Sequence, residues 1–165
     1  MEKKIHFYSG PGLKLAGILE IPDDRTEGER VPGIVLCHAG TGTKEAFLPE
    51  VSSWLVNKGY AVVRFDYRGF GESDGSTCRL IPWEQVDDIR NAITFMQQQE
   101  EVNERRIGLW VPSAGGANVS YTAGRDDRVK CIVSFSGLGD LGRGLKDMRR
   151  YWEWKDFLKT IEEDR

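Results

Sequence analysis

A serine followed by small residues is the side chain best suited to chemistry in this sequence. Residues 111–116 read VPSAGG, and Ser113 directly follows the apolar segment 106–111. A sharp strand-to-helix turn holds such a serine in a strained, positive-φ conformation, and its neighbours must be small so that strand and helix approach closely. Gly115 and Gly116 meet that requirement on the downstream side. The pattern therefore predicts a nucleophile elbow.

The same six residues also allow a simpler interpretation. Val111 occupies the place of the first glycine in the G-x-S-x-G pattern. In an ordinary strand-to-helix loop, Ser113 would only cap the following helix. Both interpretations remain open on these residues alone.

The elements around Ser113 alternate between strand and helix patterns. Short β-type or continuous apolar runs predict six strands, and apolar residues at helical spacing predict three helices. The strands are expected at residues 4–9, 14–21, 33–38, 60–65, 106–111 and 129–135, and the helices at 47–58, 82–99 and 113–122. This alternation predicts an α/β domain with a mostly parallel sheet, preceded by a hairpin that turns at residues 10–12 (GPG).

The last segment differs from the rest of the chain. In residues 141–165, apolar and aromatic residues fall on one stripe and charged residues elsewhere, which predicts one amphipathic helix. We therefore treat residues 1–140 and 141–165 as two parts. Tyr151, Trp152 and Trp154 either pack into a core or line an apolar pocket.

Composition excludes several classes of protein. The 165 residues fit one domain, and the formal charge of −3 is spread along the chain, which disfavours nucleic-acid or anionic-membrane binding. No apolar run approaches the roughly 20 residues that span a bilayer. Cys37 and Cys131 lie in apolar runs and are predicted to be buried thiols, and a reducing cytoplasm is the expected location. No spacing indicates a metal site or a cofactor.

Two further motifs precede Ser113 in the chain. Residues 38–42 (HAGTG) follow the third predicted strand, and residues 66–73 (DYRGFGES) follow the fourth. Neither the dinucleotide nor the Walker phosphate-binding pattern fits the second motif. With the serine turn, the segment 31–136 resembles the α/β-hydrolase superfamily, in particular the dienelactone-hydrolase, cinnamoyl-esterase and serine-aminopeptidase-like branches. The resemblance implies a sheet of about six strands flanked by helices, as an incomplete α/β-hydrolase fold.

That resemblance also implies roles for individual residues. Ser113 would be the nucleophile, and the backbone N–H groups of Ala114 and Gly40 would form the oxyanion hole. His38, Gly115 and Gly116 would have structural roles near the site. Asp66 and Arg68 are expected to hydrogen-bond neighbouring loops. Ala39 departs from the family pattern, which has a glycine there.

The family places its acid and its histidine after the serine, in that order. Here both histidines, His6 and His38, precede Ser113, and Asp140 is a possible acid. The expectation is that the chain stops before the acid and the histidine and is inactive alone, with residues 141–165 opening a lid or cap insertion. The sixth strand would then be an exposed apolar edge, favouring a homodimer or aggregation.

The expected function is a serine hydrolase that acts on a carboxylic ester or a similar small acyl substrate. The alternative is a non-catalytic α/β binding module without a catalytic histidine, which the departures at Val111 and Ala39 favour. A half-enzyme completed by a second polypeptide is a third hypothesis. None of these hypotheses calls for a cofactor, a nucleic acid or a membrane.

Overall fold

The described part of the chain contains one mixed sheet. The computed structural model describes residues 1–10, 12–26 and 28–163. Its six strands are β1 (Glu2–Ser9), β2 (Leu13–Glu20), β3 (Val31–Leu36), β4 (Ala61–Phe65), β5 (Val102–Pro112) and β6 (Val129–Phe135), in the spatial order β1-β2-β4-β3-β5-β6. β1 and β2 form the antiparallel hairpin, β2 pairs antiparallel with β4, and β3 to β6 run parallel. The predicted α/β class, strand number and hairpin are confirmed; Pro11 of its turn lies outside the described residues.

Helices cover both faces of the sheet. The described helices are α1 (Leu48–Val56), α2 (Pro82–Gln97), α3 (Gly116–Ala123), α4 (Leu141–Asp147) and α5 (Tyr151–Glu163), with a 3-10 turn at Ser113–Gly115. The predicted apolar face of α2 is buried throughout, at Val86, Ile89, Ala92, Ile93 and Met96. It packs in the main core with Val35 and Leu109, whereas Leu48 of α1 packs on the opposite face against Leu36 and Val62. The inner parallel strands β3, β4 and β5 are therefore sandwiched between helices, which explains their continuous apolar runs.

The two edges of the sheet differ in chemistry. β1 exposes the charged residues Glu2, Lys3 and Lys4. β6 exposes Ile132, Val133 and Phe135, so the expectation of an apolar edge strand is confirmed. The prediction that Cys131 is buried is wrong, because it lies on this uncovered strand; Cys37, in the centre of the sheet, is buried.

The C-terminal segment forms two helices where one was predicted. Asp140 Oδ1 accepts a hydrogen bond from the Arg143 N–H at 2.9 Å and caps the start of α4. A second start follows, where a Glu153 carboxylate oxygen accepts from the Arg150 N–H at 2.8 Å, before α5. This second start, after α4 ends at Asp147, separates the two helices. Residues 164 and 165 of the predicted helix lie outside the described residues.

α5 does not bury its aromatic side chains. None of its described residues is buried, and Tyr151 and Trp152 are exposed. Trp154 is half-buried, with its ring 5.6 Å from that of Phe157 in the same helix. The core-packing interpretation of Tyr151 and Trp152 is therefore wrong, and α5 leaves β6 exposed.

Candidate active site

Ser113 lies at the carboxyl end of β5 in an unusual backbone conformation. Its φ is 55°, in the left-handed region that non-glycine residues rarely occupy, and the residue is exposed. β5 ends at Pro112 and the 3-10 turn begins at Ser113 itself. The strained conformation predicted from the pattern is confirmed. It presents the hydroxyl at the edge of the sheet where parallel α/β folds bind their ligands.

The two glycines after Ser113 leave no room for side chains. A methyl group on Gly115 would meet the Val111 side chain and would lie 3.1 Å from the His38 carbonyl oxygen. A methyl group on Gly116 would lie 2.5 Å from Ser134 Oγ and 2.8 Å from Gly137 Cα. The expected requirement for small residues is confirmed. Val111 is tolerated in place of a glycine because Gly115 leaves space for its methyl groups.

The loop after β3 approaches the Ser113 turn. A methyl group on Gly40 would lie 3.7 Å from Ala114 Cβ, so the two residues predicted to supply oxyanion donors are neighbours. Within the described residues, neither the Gly40 nor the Ala114 backbone N–H donates a hydrogen bond to another protein group. Two unused amide donors therefore lie beside the exposed serine.

His38 uses both ring nitrogens inside the protein. Its Nε2 accepts a hydrogen bond from the Tyr67 N–H at 3.2 Å, and its Nδ1 lies 2.6 Å from the Ala39 carbonyl oxygen. Since Nε2 accepts, the proton of the neutral ring is on Nδ1, which donates to Ala39. Burial lowers the pKa of His38, against smaller opposite effects of Ala39 and Asp66. The ring is thus a neutral, fully buried group without a free nitrogen for proton transfer.

The His38 bond acts on the peptide that carries the Gly40 N–H. The Ala39 carbonyl oxygen accepts from His38 and also from the Gly42 N–H at 3.0 Å. The C=O and N–H of one trans peptide point in opposite directions. Holding the Ala39 oxygen therefore fixes the direction of the Gly40 N–H.

A buried lysine, which the sequence reasoning missed, ties this loop to the loop after β4. The Lys44 Nζ donates to Asp66 Oδ2 at 2.8 Å and to Glu72 Oε2 at 2.5 Å, and the Lys44 N–H donates to Asp66 Oδ1 at 2.6 Å. Burial opposes the charged form, but the bonds to Asp66 and Glu72 outweigh it and raise the pKa of Lys44. Asp66 is fully buried, so this ion pair is its charge compensation.

Arg68 connects the same loop to α2 and the hairpin. Its guanidinium donates to Asp88 Oδ1 from Nη2 at 2.7 Å and from Nε at 3.0 Å, and to Ser9 Oγ at 3.2 Å. Its backbone N–H donates to Asp88 Oδ2 at 3.0 Å. Asp66 thus hydrogen-bonds a neighbouring loop, as the sequence predicted, whereas the partners of Arg68 lie in helix α2 and at the end of strand β1 and not in a loop.

Neither histidine lies where a base for Ser113 is needed. His6 is exposed on β1, four strands away from β5 in the sheet order, which is roughly 19 Å at ~4.8 Å per strand. His38 is committed to Tyr67 and Ala39. The carboxylate of Asp140 accepts from the N–H of Arg143 at the start of α4. The described residues bring together the serine and two amide donors, and the histidine beside them, His38, has no ring nitrogen free to act as a base.

Metal-binding and membrane-spanning features are absent from the same residues. Among residues 1–10, 12–26 and 28–163 no group of three or more His, Cys, Asp or Glu side chains is placed to hold a metal ion. No helix in those ranges is both long and apolar enough to cross a bilayer.

Known proteins share this architecture. The family model described as alpha/beta hydrolase fold matches residues 32–158. An uncharacterised 31.7 kDa protein from the traX-finO intergenic region of Escherichia coli is 45% identical over 130 residues, covering 79% of this chain and 46% of that protein. The thiohydrolase aneE of Aspergillus aculeatus is 33% identical over 132 residues, covering 79% of this chain and 40% of that one.

A solved structure shows the same arrangement of elements. The crystal structure of the alpha/beta hydrolase GrgF from Penicillium sp. superposes with a TM-score of 0.77 at 27% identity, covering 84% of this chain and 46% of that one. The chain thus spans less than half the length of these relatives. With the family model matching most of its residues, the chain belongs to the α/β-hydrolase family.

Proposed function

We propose that this chain carries the nucleophile and the oxyanion hole of a serine hydrolase that acts on a carboxylic ester or a similar small acyl substrate. The observation that supports this most directly is the left-handed conformation of Ser113, φ 55°, at the end of β5. A strained conformation of this kind persists only where the surrounding structure enforces it, and such residues cluster at functional sites. Here Gly115 and Gly116 allow the turn to pack closely against the loop after β3 and the segment after β6.

In the proposed reaction, Ser113 Oγ attacks the acyl carbon of the ester. The carbonyl oxygen becomes an oxyanion, which the Gly40 and Ala114 N–H groups stabilise by hydrogen bonds. Collapse of the tetrahedral intermediate breaks the bond to the alcohol, which leaves with the proton that a base has taken from the Ser113 hydroxyl. Ser113 remains acylated until water hydrolyses the acyl ester. His38 acts as a positioning residue through the Ala39 carbonyl.

The serine needs a base to take its proton and an acid to orient that base. We place both outside residues 1–165, either in the same polypeptide or in a second one. Two observations support this. The ring nitrogens of His38 are engaged in hydrogen bonds, and His6 lies on a strand distant from Ser113. The relatives also extend well beyond the matched region. The 165 residues alone are then expected to hydrolyse esters very slowly.

A non-catalytic binding module is the second candidate. Val111 at the position of the first glycine favours it, because an elbow not under catalytic selection tolerates such a change. In that case Ser113 has no chemical role, although its backbone conformation is the same.

Reaction with an alkyl fluorophosphonate separates the two candidates. In this step the Ser113 Oγ–P bond forms, the P–F bond breaks, fluoride leaves, and added imidazole takes the serine proton. Intact-mass and peptide analysis would count and locate the adduct in the wild type, in Ser113→Ala and in Ser53→Ala, a matched control on the exposed side of α1. We expect one adduct at Ser113, accelerated by imidazole, absent from Ser113→Ala and retained in Ser53→Ala. No adduct, or an equal yield in Ser113→Ala, supports the binding module.

A further inference from the structure

An open cavity of about 470 Å³ lies between the start of α2, the outer side of α3 and the segment after β6. Its size falls within the roughly 300–1,000 Å³ of small-molecule sites. Neither the elbow nor the loop after β3 contributes to its lining. It is therefore a separate feature beside the proposed reaction centre.

Two aromatic rings form the wall of this cavity. Trp83 at the start of α2 and Tyr121 of α3 meet edge to face, with ring centroids 5.0 Å apart. Pro82, Val86 and Ala117 add apolar surface. None of the described lining residues is charged. Such a surface favours a neutral, flat, apolar group, which stacks against aromatic side chains at little cost in desolvation.

One polar group in the cavity has unused hydrogen-bonding capacity. The Asn118 Nδ2 donates to Gln85 Oε1 at 2.7 Å, and Gln85 Nε2 is buried without a partner among the described residues. No group in those residues donates to Asn118 Oδ1, and Asn118 lines the cavity. The Asn118 Oδ1 acceptor suits a ligand that carries a hydroxyl donor.

The cavity adjoins the Ser113 turn on two sides. Ala117 lies in the first turn of α3, which directly follows the 3-10 turn that begins at Ser113. Gly139 also lines it, next to Leu138, whose N–H donates to the Ser113 carbonyl oxygen at 3.4 Å.

On the third side, the segment that precedes α2 contacts the loop after β3, which carries Gly40. A methyl group on Gly40 would lie 3.1 Å from Leu80 Cδ1, and Leu80 comes two residues before Pro82. The loop that carries Gly40 therefore contacts the segment that leads into the cavity wall at Pro82.

We propose that this cavity binds the aromatic or fused-ring part of the ester attacked by Ser113, with a hydroxyl of that ring system hydrogen-bonded to Asn118. The inference rests on the proposed function for its catalytic meaning. It goes beyond that function by naming the substrate class, a hydroxyaryl ester, and by assigning Trp83 and Tyr121 as specificity-determining residues.

Binding without chemistry is the first test. The 165-residue chain would be titrated by ligand-observed NMR with 2-naphthol and with 2-methoxynaphthalene, which lacks the hydroxyl donor. We expect 2-naphthol to bind about three- to tenfold more tightly, the usual effect of one hydrogen bond. Trp83→Ala should weaken binding of 2-naphthol by at least about tenfold, as loss of an aromatic anchor does.

Trp54→Ala is the matched control for that variant. Trp54 lies on α1 on the other face of the sheet and is 61% exposed, against 63% for Trp83. Its replacement should leave the affinity unchanged. Absent binding, or equal losses in both variants, overturns the inference.

Labelling of Ser113 is the second test, and it measures whether an aryl group bound in the cavity accelerates the reaction at Ser113. Two fluorophosphonates that differ only in carrying a methyl or a hydroxynaphthyl-alkyl group would be compared in imidazole buffer. We expect the aryl reagent to label Ser113 at least about tenfold faster, and Trp83→Ala to abolish this preference without changing the methyl rate. Equal rates in the wild type overturn the substrate assignment.

The two tests separate failure of this inference from failure of the proposed function. If the methyl reagent never labels Ser113, the serine-hydrolase proposal fails, and the substrate assignment fails with it. The naphthol titration then still decides whether the cavity is a binding site.

Discussion

Gly115→Ala should destabilise the protein because a methyl group at this position has no space. It would overlap the Val111 side chain and would lie 3.1 Å from the His38 carbonyl oxygen, in a buried turn. The φ of Gly115 is −65°, which alanine adopts without strain, so the cost is steric. Overpacking of this kind costs about 1–3 kcal/mol in the free energy of unfolding.

The clash with Val111 predicts a compensating change. Val111→Ala alone removes two buried methyl groups and costs about 1.6 kcal/mol at ~0.8 kcal/mol each, before any cavity is counted. In the double variant the methyl group added by Gly115→Ala occupies space that Val111 has vacated. We therefore expect the double variant to lose at least about 1 kcal/mol less than the sum of the single losses, as packed neighbours do.

Urea unfolding, followed by circular dichroism, measures the free energy of unfolding of the four proteins in this double-mutant cycle: the wild type, Gly115→Ala, Val111→Ala and the double variant. Gly124→Ala is the matched control, because a methyl group there meets nothing closer than 3.5 Å at the end of α3. It should change stability by less than about 1 kcal/mol. Additive losses in the cycle, or a Gly115→Ala variant as stable as the wild type, would refute the packing explanation of the Val111 departure.

Three further predictions concern buried charge and the exposed edge. Burial lowers the pKa of His38 from its usual 6.5. As the pH falls below 6.5, the unfolded chain therefore gains a proton that the folded chain does not. The free energy of unfolding measured with urea should decrease in this pH range, and it should decrease less in His38→Asn. Lys44→Met leaves the fully buried Asp66 without its ion partner and should cost about 3–5 kcal/mol in urea unfolding. Val133→Lys on the uncovered β6 should reduce self-association measured by light scattering, because edge lysines oppose strand pairing.

Each of these variants has a control that identifies its cause. His38→Asn with an unchanged pH dependence would assign the acid sensitivity to other groups. Asp66→Asn added to Lys44→Met should recover part of the loss, and no recovery contradicts the ion-pair explanation. Tyr8→Lys places the same charge on the opposite edge strand, β1, and should leave self-association as it is.

Local patterns were sufficient for the elements and for the serine turn. The continuous apolar runs of β3 and β4 reflect burial on both faces, and the stripe of α2 reflects burial on one, so periodicity identifies them. Boundaries were less accurate: β5 begins at Val102, where the sequence turns polar and charged before the apolar run. The break between α4 and α5 lies where the Glu153 carboxylate accepts from the Arg150 N–H, and a continuous apolar stripe conceals it.

The rest of the candidate site depends on contacts between distant positions, and local patterns do not contain these. Lys44 resembles an ordinary loop lysine until the fold brings Asp66, 22 residues later, against its ammonium group. Trp83 and Tyr121 resemble separate surface aromatics until α2 and α3 pack side by side. A serine turn needs only its immediate neighbours, so a short motif specifies it. A buried ion pair such as Lys44–Asp66, or a binding cavity, needs residues from several elements. It can therefore be identified only when the arrangement of those elements is known.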